Sequence, residues 1–274
     1  MKNMMKRTLP FVMLVMSSVA MASEISNDSL SQLMNLSGIS KQVSEIPAGI
    51  SAGMQQARQK GSSLSDEQYS KISEVMTKAF QPAGINSTIS KGIKSKISES
   101  EAQELLSWYK SDLGKKITKA EEKGSEPAAF QEMLKQAQSL MADKERVGLA
   151  QRIDKLVNAT DLTVEFQKNT ATAIFTSLSK AMNPGQPVNM QAFDAKMAEA
   201  EPKMRQQLEQ LITLSYVYNY KDLSTAEINK YIEFLQRPST KKFNSTTMDG
   251  MKKALEESSK TMSSSLATIF TAKK

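Results

Sequence analysis

Apolar residues along this chain return every three or four positions and almost nowhere every second one. Leu36, Ile39, Val43, Ile46 and Ile50 step by three and four, and Ile85, Ile89, Ile93 and Ile97 step by four. Tyr69, Ile72, Met76 and Ala79 share one face in the same way. This period lays a stripe along one side of an α-helix, whereas a half-buried strand alternates. Only 8 Pro occur in 274 residues, so few positions force a helix to stop. The pattern predicts an all-α protein built from amphipathic helices. Pro47 and Gly49 weaken that expectation near the end of the first stripe. Phe130, Met133, Leu134, Ala137, Leu140 and Met141 predict a middle helix with a broad apolar face. Met251, Ala254 or Leu255, Met262, Leu266 and Ile269 predict a long closing helix, against which the serines at 258, 259 and 263–265 count.

One corner is written twice. Residues 104–117 read ELLSWYKSDLGKKI and residues 230–243 read KYIEFLQRPSTKKF. A capping box precedes each, Ser98 with Glu101 and Ser224 with Glu227. The stripe Ala102, Leu105, Leu106 and Tyr109 answers to Ile228, Tyr231, Ile232 and Leu235 at the same spacing. Trp108 answers to Phe234, Ile117 to Phe243, and Lys115-Lys116 to Lys241-Lys242, each 126 residues apart. A second anchor, QLMN at 32–35 and KLVN at 155–158, is 123 residues apart. Physically, each corner is a capped helix, a short turn and a new helix that presents two lysines. Ser111 suits an N-cap, and Pro238 suits a first helical turn, where its missing N–H is harmless. Gly114 would let two helices approach closely, and Thr240 stands in its place in the second corner. We therefore expect two tandem, duplicated helical domains, residues 23–148 and 149–274, with the boundary at the charged stretch ending in Gly148.

The stretch LLSWYKSDLGKKI resembles the bacterial family called domain of unknown function 2059. The second corner keeps the double Lys and a Pro, but lacks the Gly and the second aromatic residue. The resemblance implies an all-helical exported domain, here in two copies. It carries no catalytic residues with it, since no activity is assigned to the family. The candidate residues are those of the motif: Trp108, Tyr109, Ser111, Gly114, Lys115, Lys116, Phe234, Pro238, Lys241 and Lys242.

The first residues read as an export signal. Lys2, Lys6 and Arg7 precede an apolar run from Leu9 to Met16, and Ala20-Met21-Ala22 fits the small-x-small cleavage rule. Cleavage between Ala22 and Ser23 is expected, with residues 1–22 removed and the protein placed in a Gram-negative periplasm. No later stretch approaches the roughly 20 apolar residues of a membrane span. The 36 basic and 29 acidic residues give +7; three of the basic ones and no acidic ones lie in residues 1–22, leaving +4. So mild a charge, on an exported chain, argues against nucleic acid as a partner.

The chain contains no Cys and no His. That excludes Cys/His nucleophiles, Ser-His-Asp triads and nearly all zinc sites. No cofactor is expected. The doubled lysines are candidates to hold an anion, such as a phospholipid head group or an anionic glycan, against the plainer reading of a solvated face. Tyr109 is expected in the core and Trp108 against a neighbouring helix. Tyr216, Tyr218 and Tyr220 fit packing at a helix end better than an extended ring platform. The acidic pairs Glu121-Glu122 and Glu256-Glu257 read as solvated surface, since adjacent residues diverge on a helix. These features suggest a non-enzymatic binding or interaction protein whose partner is another periplasmic protein or an envelope component. The alternatives are a carrier holding a lipid or other apolar ligand between helices, which requires a roomy cavity, and, more remotely, an Asp/Glu glycan hydrolase.

Overall fold

The computed structural model describes residues 23–59, 65–182 and 186–271. The expected export signal, residues 1–22, lies outside the described residues. Among them the protein is all-α, with a single isolated bridge between Glu24 and Ser98. The helices are α1 (Asn27–Leu36), α2 (Ile39–Gln59), α3 (Asp66–Ala79), α4 (Pro82–Lys96), α5 (Glu99–Lys110), α6 (Asp112–Gly124), α7 (Pro127–Ala142), α8 (Lys144–Val157), α9 (Ala159–Met182), α10 (Met190–Asn219), α11 (Thr225–Leu235) and α12 (Pro238–Thr271). Pro47 does not end α2, and Pro202 lies inside α10. Gly148 lies within α8, whose N-cap is Asp143.

The boundaries follow local chemistry. Ser98 and Ser224 close complete capping boxes with Glu101 and Glu227, so both helix starts satisfy two otherwise orphaned donors. Pro82, Pro127 and Pro238 open α4, α7 and α12, where no donor is needed. α8 ends on Asn158 in the left-handed region (φ 55°), which Asn tolerates better than most residues.

The stripes meet in one continuous core. Ile85, Ile89, Ile93 and Ile97, from the early part of the chain, share it with Ile228, Ile232, Phe243, Leu255 and Leu266, from the late part. α12 packs along α9 and also along α4, while α10 reaches α6 and α7. Helices of each half thus cover apolar faces of the other. Gly250 of α12 sits against the Ile89 backbone, where a Cβ would come within 2.9 Å of Ile89 Cα. A smaller cluster of Ala129, Met133, Leu214 and Tyr218 joins α7 to α10. The broad face expected of α7 is only partly used: Met133 is buried, but Phe130 and Leu134 remain 39% and 44% exposed.

Candidate functional site

The two corners pack against each other. The Trp108 and Phe234 rings stack with centroids 4.4 Å apart and 8° between planes. Lys116 Nζ donates to Glu227 Oε1 at 2.7 Å, and Lys242 Nζ donates to Glu101 Oε1 at 2.7 Å. The contacts are reciprocal, since 116 and 242, and 101 and 227, each lie 126 residues apart. Each glutamate caps its own helix and receives the lysine of the other corner. The Lys116 bond and the Ser224 backbone hold Glu227 down to about 2. At Glu101, burial pushes upward but the bonds from Lys242 and Ser98 prevail, so it too is lowered. Lys115 and Lys241 are exposed. One lysine of each pair is therefore an ion-pair partner across the corners, and all four lysines stay exposed.

The turns differ in detail. Ser111 ends α5 and caps α6: its Oγ donates to Trp108 O at 2.6 Å and accepts from Gly114 N at 3.0 Å. A Cβ on Gly114 would collide with the Trp108 carbonyl. Gly114 therefore admits a backbone carbonyl at the turn itself. In the second corner α11 runs on to a right-handed cap at Gln236, and Pro238 opens α12, so Thr240 fits, fully buried.

Beside the stacked rings lies a cavity of about 440 Å³. Trp108 and Tyr109 of α5, Glu121 of α6, Tyr216 and Asn219 of α10, Tyr231 of α11 and Phe243, Thr247 and Met251 of α12 line it. Tyr109 keeps some surface open to this space, though it packs edge-on to Phe234 at 5.6 Å as a core ring would. Ser37 Oγ, Asn219 Oδ1, Asn244 Nδ2 and Thr247 Oγ1 also border it and find no hydrogen-bond partner among the described residues.

Glu121 overturns its sequence reading as solvated surface. It is half-buried, and its Oε1 accepts from Tyr220 OH at 2.5 Å and from Tyr231 OH at 2.8 Å. Burial pushes this carboxyl above its ordinary value, against the downward pull of both phenols and with an upward push from Glu122. Burial first, then the Glu121 charge, raises Tyr109, Tyr220 and Tyr231 as well. A usable signal existed: Glu121 falls four positions after Ile117, on the apolar stripe, while Glu122 does not. The tyrosines confirm the helical alternative. Tyr216 of α10 and Tyr220, the C-cap that follows it, stack at 5.9 Å with Tyr216 on the cavity wall, and Tyr218 turns away to lie under Lys221 Nζ at 4.1 Å.

Among the described residues no cluster of three or more Asp, Glu, His or Cys could hold a metal ion, and no helix is long and apolar enough to cross a membrane. The fold and site define a helical protein with an aromatic cavity bearing one acid. The model of a family described as an uncharacterized protein conserved in bacteria, DUF2059, matches residues 85–145. The match spans α4 to α7, including the first corner and Glu121, and stops before the second corner. No curated protein and no solved structure matches the chain significantly.

Proposed function

We propose that this chain is an exported, non-enzymatic binding protein that carries one small, largely apolar molecule in the cavity beside its two corners. The cavity carries this reading: about 440 Å³, walled by rings and aliphatic side chains with a few polar groups, falls within the range typical of small-molecule sites. The volume suits a single drug-sized molecule. A glycan hydrolase needs two carboxyls, and Glu121 is the one acid on this wall among the described residues. Export rests on the Lys2 to Ala22 signal, with the mature protein in the periplasm. The two halves are read as duplicated copies because their reciprocal Lys–Glu pairs, capping boxes and stacked rings obey one offset. Native mass spectrometry of the protein taken gently from its own periplasm tests the whole reading. A chain starting at Ser23 with an excess mass lost on denaturation is expected. The full-length mass would refute export, and a bare chain mass would refute the carrier.

One observation favours a second reading. Phe130 and Leu134 stand exposed on α7, which suits docking of another envelope protein. Crosslinking from α7 tests it, and equal recovery with an unrelated basic protein would count against it.

A further inference from the structure

We infer that the cavity selects an organic ammonium cation, an amine borne on an apolar body, with Glu121 as its counter-ion and the rings of Trp108, Tyr109, Tyr216 and Tyr231 around it. This rests on the reading of the cavity as a small-molecule site and names the ligand class.

Charge content comes first. Among the described residues that line the cavity, Glu121 is the one charged side chain, and no Lys or Arg reaches the wall. An anionic ligand would find no positive side chain on this wall to pair with, which is unfavourable. A cation meets an acid and several π-systems, the combination that recognises ammonium groups. Donor geometry points the same way. Both phenols bond to Oε1, and among the described residues no donor reaches Oε2. An ammonium group supplies an N–H donor to Oε2, and its apolar body occupies the space toward Phe243 and Met251.

Burial raises the Glu121 carboxyl above its ordinary value while no cation is bound. A bound cation favours the ionised carboxyl, so affinity rises as pH climbs through the folded-state value of Glu121 and is then level until the amine itself deprotonates, near 10 for a simple alkylamine. The other titratable groups around Glu121 are Glu122 on its own helix, Tyr109 on α5, Tyr216 on α10, Tyr220 at the C-cap of α10 and Tyr231 on α11. All four phenols are raised, so none charges in that window.

The chain's single Trp, Trp108, is on the cavity wall and reports occupancy by fluorescence. The test titrates the protein with octylammonium, 1-octanol and octanoate, which share a chain length and differ in charge. At about pH 8, octylammonium is expected to bind roughly tenfold or more tighter than 1-octanol, with octanoate weakest, and the advantage shrinks toward pH 5. Glu121→Gln should erase the advantage of octylammonium over 1-octanol. The comparison of the three probes on the unaltered chain does not depend on any variant folding. Equal binding of octylammonium and 1-octanol would overturn the cation inference and leave the small-molecule reading intact. If none of the three perturbs Trp108 and native mass spectrometry finds no bound mass, both fall.

Discussion

Glu121→Gln should make the protein more stable at pH 8, relative to the unaltered chain, than at pH 4. Gln keeps the acceptor oxygen that Tyr220 and Tyr231 use at 2.5 and 2.8 Å, and it never ionises. Burial raises the folded-state pKa of Glu121 above the ordinary value of 4.5. A raised carboxyl stabilises the fold while protonated. That contribution is complete below the ordinary carboxylate value and is lost as pH rises through the folded-state value. Each unit of elevation is worth about 1.4 kcal/mol, or roughly 2–4 °C in Tm for a chain of this size. Thermal melts of both proteins at pH 4 and pH 8, followed by circular dichroism, isolate the effect, because every other titrating group is common to the pair. The gap between variant and parent should be smaller at pH 4 than at pH 8, widening in the variant's favour as pH rises through the folded-state value. Parallel pH profiles would refute the reasoning. A gap moving the other way would show that the two phenols outweigh burial and hold Glu121 ionised.

Gly114→Ala should cost about 1–3 kcal/mol in urea unfolding, because the new Cβ collides with the Trp108 carbonyl, which is backbone and hard to move; a neutral effect would mean that the turn is not so tight. Double-mutant cycles on Lys116 with Glu227 and on Lys242 with Glu101 should return similar couplings of about 0.2–1 kcal/mol, both shrinking with salt, and a coupling at only one would break the reciprocity. Residues 23–148 expressed alone would leave the Ile85, Ile89 and Ile93 face without α12, so self-association or a non-cooperative melt is expected in chromatography and circular dichroism. A monomeric, cooperative fragment would show that this half holds a sufficient core of its own.

The helices were legible because period and caps are local. Ser98-x-x-Glu101 and Ser224-x-x-Glu227 form the boxes that their spacing predicts, and the isoleucines of α4 are buried as their stripe requires. The partners of those elements were not legible. Nothing in the order of residues says that Lys116 finds Glu227 or that α12 lies along α4, since such contacts depend on how the two halves are placed. The site was hidden for a related reason. Glu121 was judged with its neighbour Glu122 as a surface pair, whereas its role depends on Tyr220 and Tyr231, some hundred residues away. Lys115 and Lys116 differ for the same reason: both are exposed, but only Lys116 meets Glu227, a partner from the other half.

The offset of 126 residues also explains why the cavity lies on one side of the paired corners. Ile89 and Ile93 of α4 are fully buried beneath α12, with Gly250 seated on Ile89. The positions 126 residues on are Ser215 and Asn219 of α10, which line the cavity. Glu121 and Thr247 are likewise matched, and both face the cavity. Under the proposed duplication, one helix pair kept branched aliphatic residues and packed dry, while the other took small and polar ones and left a space with a single acid. Ser215→Ile should therefore restore the packing of the dry side. It should raise stability by about 0.5–2 kcal/mol in the absence of ligand, the usual gain from filling a cavity, and abolish the Trp108 response to octylammonium. Urea unfolding and the fluorescence titration measure the two effects on one sample. A loss of stability would mean that the wall is already close-packed at Ser215 and that the asymmetry between α4 and α10 does not create the cavity.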